Sequence, residues 1–230
     1  MNQDSHQTFA STLTDLMTSL AVIFILLLVV FLKNAHDQSK NAKDKITNEL
    51  EAFLKNESLS LHQDPEDPLR LIVLVGEDQL RFPHAEAGLT SAGKSFVNGF
   101  FKTFSEKVCD QSLKNKIDSI VIEGHTDTTG EKTPEGVRQN IFLSQKRAYS
   151  VLEEALKTVQ ADPQTYECLL KLTSANGRGS RSPILVNQQY DPDKSRRVEI
   201  KIRVRSSEQQ FKEMAVAESK SLESNTHQTK

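Results

Sequence analysis

The run LMTSLAVIFILLLVVFL at residues 16–32 carries no charge, and residues 20–32 carry no polar side chain at all. Extended back to Phe9, it is 24 residues with one charged side chain, Asp15. As a helix rising ~1.5 Å per residue it spans roughly 36 Å, enough to cross a hydrocarbon core of about 30 Å. The thirteen Leu, Ile, Val and Phe residues of the run favour insertion by roughly 4–8 kcal/mol, against a cost of about 2.5–3.5 kcal/mol for one central Asp. A cleaved signal peptide is the rival reading. It needs a basic start and a small-x-small cleavage site, whereas MNQDSHQTF has no Lys or Arg and FLKNAHDQ is a poor site. No Cys follows closely enough for a lipoprotein anchor. The expectation is an uncleaved single span at residues 9–32 behind a short cytoplasmic segment, residues 1–8.

Orientation is contested by the flanks. Lys33, Lys40, Lys43 and Lys45 follow the span and no Lys or Arg precedes it, so the positive-inside count places the C-terminal bulk in the cytoplasm. Within the span, Ser11, Thr12, Thr18 and Ser19 lie three or four residues from Asp15. On a helix they form one polar stripe with it, the candidate lining of a channel. An intramembrane carboxylate on such a stripe marks an ion path. The plain alternative is a helix-start residue at headgroup level.

TDLMTSLAVIFILLLVVFL resembles the membrane segment of MotB-type stator subunits. That resemblance implies that Asp15 carries the ion driving a rotary motor, a proton first with sodium left open. It also implies a homodimer of such helices and a pentameric MotA-like partner.

The rest of the chain is near neutral, with 29 basic and 31 acidic residues, so nothing points to a nucleic-acid surface. Residues 33–68 read as a juxtamembrane helix and linker. Ile46, Leu50, Phe53 and Leu54 recur at helical spacing, for pairing with a partner copy, and PEDP at 65–68 marks the boundary. Beyond it, LRLIVLV (69–75) and QLRF (79–82) read as strands. TSAGKSFVNGFFKTFSEKV (90–108) reads as a helix, KIDSIVIEGH (116–125) as a strand and QNIFLSQKRAYSVLEEALKTV (139–159) as a helix. YECLLKLTSAN (166–176) begins either helical or extended. RRVEIKIRVR (196–205) alternates strictly, with Val198, Ile200, Ile202 and Val204 on one face. These elements predict an α+β domain over residues 69–205, a mixed sheet with helices on one face. Residues 206–230 read as a frayed or disordered polar tail.

No enzyme chemistry is legible. Six His and two Cys make no metal cluster at known spacings, and no cofactor motif, phosphate loop or nucleophile elbow is present. Two pieces do stand out: EGHTDTTG (123–130), which puts Asp127 in a Gly-flanked loop after a strand, and NIFLSQKRA (140–148), which sets Asn140, Ser144 and Arg147 on one helix face. An Asp and an Arg above a sheet can grip a zwitterionic amino-acid headgroup, the carboxylate taking the ammonium and the guanidinium fork taking the carboxylate. Chemistry alone favours a plainer reading, a surface ion pair between the two worth under about 1 kcal/mol.

IEGHTDTTG…NIFLSQKRAYSVLEEAL…GRGSRSPI…RRVEIKI resembles the OmpA-like peptidoglycan-binding domain over residues 69–205. The family's Asp and Arg hold diaminopimelate of the cell-wall stem peptide. They fall on Asp127 and Arg147, its helix-opening Asn on Asn140, the adjacent packing position on Leu143, and a further bordering Arg on Arg197. Thr126 also fits the motif. The loop EKTPEGVRQ (131–139) is longer than in typical members. A periplasmic domain would let Cys109 and Cys168 form a disulfide. A wall-gripping domain and a membrane carboxylate on one chain imply a stator in the bacterial inner membrane, its C-terminal domain periplasmic. The short distance from span to first strand and the Lys-free start look most like ZorB, partner of ZorA in the Zorya antiphage defence system. A flagellar MotB-type stator and a plain wall tether are the alternatives.

Overall fold

The computed structural model describes residues 3–83, 85–206, 208, 209 and 212, with the side chains of residues 3–12 and 39 outside the description. Ser11 and Thr12 therefore fall outside it as side chains, as does almost all of the expected tail. Helix α1 runs Gln3–Asn56. The chain divides into two compact units, one ending at Asn41 within α1 and the other spanning Ala42–Ser206.

In the first unit the apolar run stands bare. Leu16 is 66% and Phe24 65% exposed, with every residue of 20–32 open. The only candidate membrane span among the described residues starts at Leu13 within this helix. So much exposed apolar surface on one helix is at rest only in lipid or against other helices.

The second unit is a mixed sheet with its helices on one face. Its elements are β1 (Leu61–Gln63), β2 (Arg70–Gly76), α2 (Glu77–Leu80), α3 (Ser91–Val108), β3 (Ile117–His125), α4 (Pro134–Val159) and α5 (Pro163–Leu172). They continue with β4 (Thr173–Gly179), β5 (Leu185–Val186), β6 (Gln189–Tyr190), α6 (Pro192–Ser195) and β7 (Arg197–Val204). The five-stranded sheet has the order β1-β2-β7-β3-β4, and β5 and β6 form a separate hairpin. β7 is antiparallel to both β2 and β3, while β3 and β4 run parallel.

Alternation decides which side chains meet the helices. Leu71, Val73 and Val75 of β2, Ile120 and Ile122 of β3, and Val198, Ile200, Ile202 and Val204 of β7 are buried. They pack against Val97, Phe100, Phe101 and Phe104 of α3, Ala148, Val151 and Ala155 of α4, and Leu169 of α5. Thr90 caps α3 through its hydroxyl on the Gly93 amide, and Thr133 caps α4 on Gly136, with Pro134 following the cap.

Four expectations need correction. The juxtamembrane helix forms, but Ile46, Leu50, Phe53 and Leu54 are buried in the domain's own core, Phe53 lying 5.3 Å from Phe100. Covering the α3 phenylalanines from within the chain loses no association entropy, so this stripe has an intramolecular partner. β1 likewise joins the sheet ahead of PEDP, moving the domain boundary back to about residue 42. QLRF is not a strand. β2 is already flanked by β1 and β7, and residues 77–80 turn as α2 with Arg81 left-handed at φ 48. Helix α4 opens at Pro134, not near 139, because Thr133, Pro134 and Glu135 supply cap, first-turn proline and first-turn acid. The segment YECLLKLTSAN divides, helical to Leu172 and extended from Thr173.

Cys109, the C-cap of α3, is bonded to Cys168 within α5, with their Cα atoms 6.0 Å apart.

Candidate functional site

The cleft forms where β3 ends. Thr126 donates its amide to Gly179 O, tying the exit of β3 to the end of β4, and Asp127 follows. Helix α4 lies close over both strands here. A Cβ on Gly124 would stand 2.1 Å from Ser144 O, and one on Gly177 2.4 Å from the Gln145 amide nitrogen. Only glycine admits that approach. Ser144 completes the seam by accepting from the Gly179 amide.

A cleft of about 530 Å³ opens beside this seam, lined by Glu77, Phe82, Ala85, Thr126, Asp127, Thr129, Asn140, Leu143, Arg147 and Arg196. Asp127 and Arg147 both line it, as expected, yet each has its own partner. Asp127 Oδ1 accepts from the Thr129 amide and Oδ2 from Arg196 Nη1 at 2.7 Å. Burial pushes the Asp127 carboxyl up, but the Arg196 guanidinium and the Thr129 amide outweigh it and hold the group below the ordinary carboxylate value. Arg147 is almost fully buried, its Nε donating to Glu86 O at 3.0 Å and its Nη1 3.3 Å from Glu77 Oε1. Its guanidinium carbon sits 4.9 Å from the Phe82 ring centre. Burial lowers its basicity and Glu77 partly restores it. The plain reading of a direct Asp127–Arg147 pair gives way to a chain in which Glu77 and Arg196 stand between them.

Asn140 sits in the second turn of α4, not at its opening. Its Nδ2 donates to Asp127 O, Thr129 O and Glu131 Oε1, so it shapes the loop around the cleft. Glu131, from the long loop, also accepts from Ser180. The Thr126 hydroxyl is buried at the cleft wall without a hydrogen bond, and Leu143 supplies apolar lining.

Arg197 does not border the cleft. It is buried on the helix-free face of the sheet, donating to Glu199 Oε1 at 2.8 Å, Ser195 O and Ser182 O. The neighbour Arg196 is the cleft arginine. Sequence reasoning also missed Glu77, Phe82 and the Glu86 carbonyl, which come from a segment some sixty residues before Arg147 and carry no motif of their own.

Near Arg197, Glu123, His125 and Glu199 bring ligand-type atoms within 4.8 Å of one another. Their carboxylates already hold cations: Lys201 contacts both, and Arg197 pairs with Glu199. Burial works to raise Glu123, but His125 and then Lys201 hold it down at about 2. The arrangement is a compensated ionic cluster, in which a further dication would face Lys201 and Arg197.

In α1, Thr18 Oγ1 is tied to the carbonyls of Thr14 and Asp15 at 3.0 and 2.9 Å. Asp15 and Ser19 lie exposed within the apolar run.

No family model matches the chain, and no curated protein matches it. Solved structures do. A MotB-like protein from Desulfovibrio vulgaris aligns at 17% identity and TM-score 0.53, over 74% of this chain and 95% of that one. The periplasmic domain of Helicobacter pylori MotB aligns at 21% identity and TM-score 0.48, over 71% and 90%. The OmpA-like domain of a Francisella tularensis protein aligns at 17% identity and TM-score 0.40, over 64% and 81%. The likeness is one of fold: the domain's mixed sheet beneath its helices is the fold of the Desulfovibrio vulgaris MotB-like protein.

Proposed function

We propose that this chain is a stator subunit of the bacterial inner membrane, anchored to peptidoglycan by its C-terminal domain and driven by ion flow at Asp15. The observation that carries the reading is the cleft in which Asp127 and Arg147 offer opposite charges at one recess. The other end of the same chain is a bare apolar helix with a carboxylate inside it. In this reading the cleft takes the free amino-acid end of diaminopimelate in the stem peptide, ammonium to Asp127 and carboxylate to Arg147. The wall contact resists the reaction torque. Asp15 alternately takes up and releases a proton, within a dimer of such helices enclosed by a pentameric MotA-like or ZorA-like partner.

The Lys flank after the span argues for a cytoplasmic domain, and the Cys109–Cys168 bond argues for an oxidising compartment. A structural disulfide is rare outside that compartment and the flank count is the weaker bias, so the periplasmic assignment is preferred. A plain tether would have no use for Asp15. The role in Zorya-type antiphage defence, rather than in a flagellar motor, rests on the short stretch between the apolar run, which ends at Leu32, and the first strand at Leu61.

The test combines two variants. Asp127→Ala with Arg147→Ala abolishes co-sedimentation with purified peptidoglycan while the domain stays folded, and Asp15→Asn leaves membrane assembly intact and abolishes phage protection. Wall binding by the double variant, full protection by Asp15→Asn, or a cytoplasmic signal from a topology reporter fused after Arg205 refutes the proposal.

A further inference from the structure

Four charged side chains cross the cleft in alternating sign. Arg147 lies 3.3 Å from Glu77, Glu77 accepts from Arg196, and Arg196 donates to Asp127 at 2.7 Å. Two arginines stand against one Glu and one Asp, so the empty set is neutral, and every member has a partner. Asp193, which also pairs with Arg196, is 83% exposed and belongs to the solvent-screened rim. Glu77 has no part in gripping the ligand in the proposed reading. It occupies Arg147, the position a ligand carboxylate must take.

We infer that Glu77 is a specificity-determining residue: it makes the cleft select a headgroup bearing both ammonium and carboxylate over one bearing carboxylate alone. The inference rests on the zwitterion reading of the cleft and deepens it. When a zwitterion enters, its carboxylate displaces Glu77 from Arg147, and its ammonium displaces Arg196 from Asp127. Glu77 and Arg196 then keep each other. Every charge remains paired and the cleft stays neutral. When a bare carboxylate enters, it takes Arg147, and Glu77 and Asp127 are left to share Arg196 with one negative charge in excess. An uncompensated charge in a recess that buries Arg147 and leaves Asp127, Glu77 and Arg196 only partly exposed is penalised more than one in open water. Without Glu77 the count reverses. The bare carboxylate then completes a neutral set, and the zwitterion leaves Arg196 facing only the rim.

The test compares meso-diaminopimelate with pimelate, the same carbon chain without its ammonium groups, by calorimetric titration of the full chain in detergent. The wild type prefers diaminopimelate. Glu77→Gln lowers that preference about tenfold, chiefly by tightening pimelate. Glu77→Asp, which keeps the charge, retains most of the preference. Arg196→Met, which removes the shared cation, raises the preference while weakening both ligands, and so tests the same count independently of how Glu77→Gln folds. Asp127→Asn separates the two levels of the argument. If it abolishes diaminopimelate binding while Glu77→Gln leaves the ratio unchanged, the cleft reading stands and the role of Glu77 is overturned. If Asp127→Asn binds diaminopimelate as the wild type does, the cleft reading falls and the role of Glu77 with it.

Discussion

Replacing both Cys109 and Cys168 by Ala should lower the stability of the C-terminal domain by about 4 kcal/mol. The two residues are 59 apart in sequence, and the bridged segment contains all of β3 and α4, and with them Asp127, Asn140 and Arg147. In the loop-closure description a cross-link removes about 2.1 + 1.5R ln n cal/mol/K of entropy from the unfolded chain, and a loop near 60 residues gives about 4 kcal/mol at 25 °C. Both Cys are partly buried against the core, and Ala keeps that surface apolar, so the loss is assigned to the unfolded state. For a domain of about this size each kcal/mol shifts Tm by about 2–4 °C, and the expected drop is therefore roughly 8–16 °C. Tyrosine fluorescence is a domain-specific probe, because the chain has no Trp and its three Tyr, Tyr149, Tyr166 and Tyr190, all lie in the domain. Reductant should bring the wild type to the midpoint of the variant and leave the variant unmoved. A drop below about 3 °C, or a wild type indifferent to reductant, refutes both the bond's contribution and the compartment argument built on it.

Leu50→Ala, in the segment after the span, should cost about 2–5 kcal/mol, because Leu50 is fully buried in the domain core. Denaturant unfolding within about 0.5 kcal/mol of wild type would return the segment to the status of a linker. Acid should unfold the domain through Glu123. Its folded-state value is about 2 against an ordinary 4.5, so its contribution is full above about pH 4.5 and is lost as pH falls toward 2. Glu123→Gln should flatten the acid limb of Tm against pH over that window, and an unchanged limb would place the acid sensitivity elsewhere.

The long apolar helix, the inward face of β7 and the placing of Asp127 and Arg147 at one cleft were legible because each is carried by a local pattern: an unbroken apolar run, strict alternation, and two short motifs. The role of Ile46, Leu50, Phe53 and Leu54 was half legible. Helical spacing announces that a stripe will be buried but not against what, and an unsolved core and a second copy are equally good partners at that level. The charge chain through Glu77 was not legible at all. It joins α2 to residues 70 and 119 positions away, and nothing near Glu77 distinguishes it from the other surface acids.

The arginine pair of RRVEI shows where resemblance and geometry part. A motif match can be right about the pair and still choose the wrong member, because both positions hold the same residue. Strand alternation carries the missing information. With Val198, Ile200, Ile202 and Val204 turned toward the helices, Arg197 shares its face with Glu199, Lys201 and Arg203 and must point to the opposite side of the sheet. Arg196 precedes the strand, with φ −79 and ψ 95 at the end of α6, and is released from that parity to reach Asp127 and Glu77. The two arginines should therefore separate cleanly on substitution. Arg197→Ala removes one of the two cations that Arg197 and Lys201 supply to the buried Glu199 and lowers Tm while leaving diaminopimelate affinity within about twofold, whereas Arg196→Ala changes ligand affinity with a smaller effect on Tm. If Arg197→Ala instead weakened ligand binding at unchanged Tm, the face assignment of β7, and with it the geometry of the cleft, would be wrong.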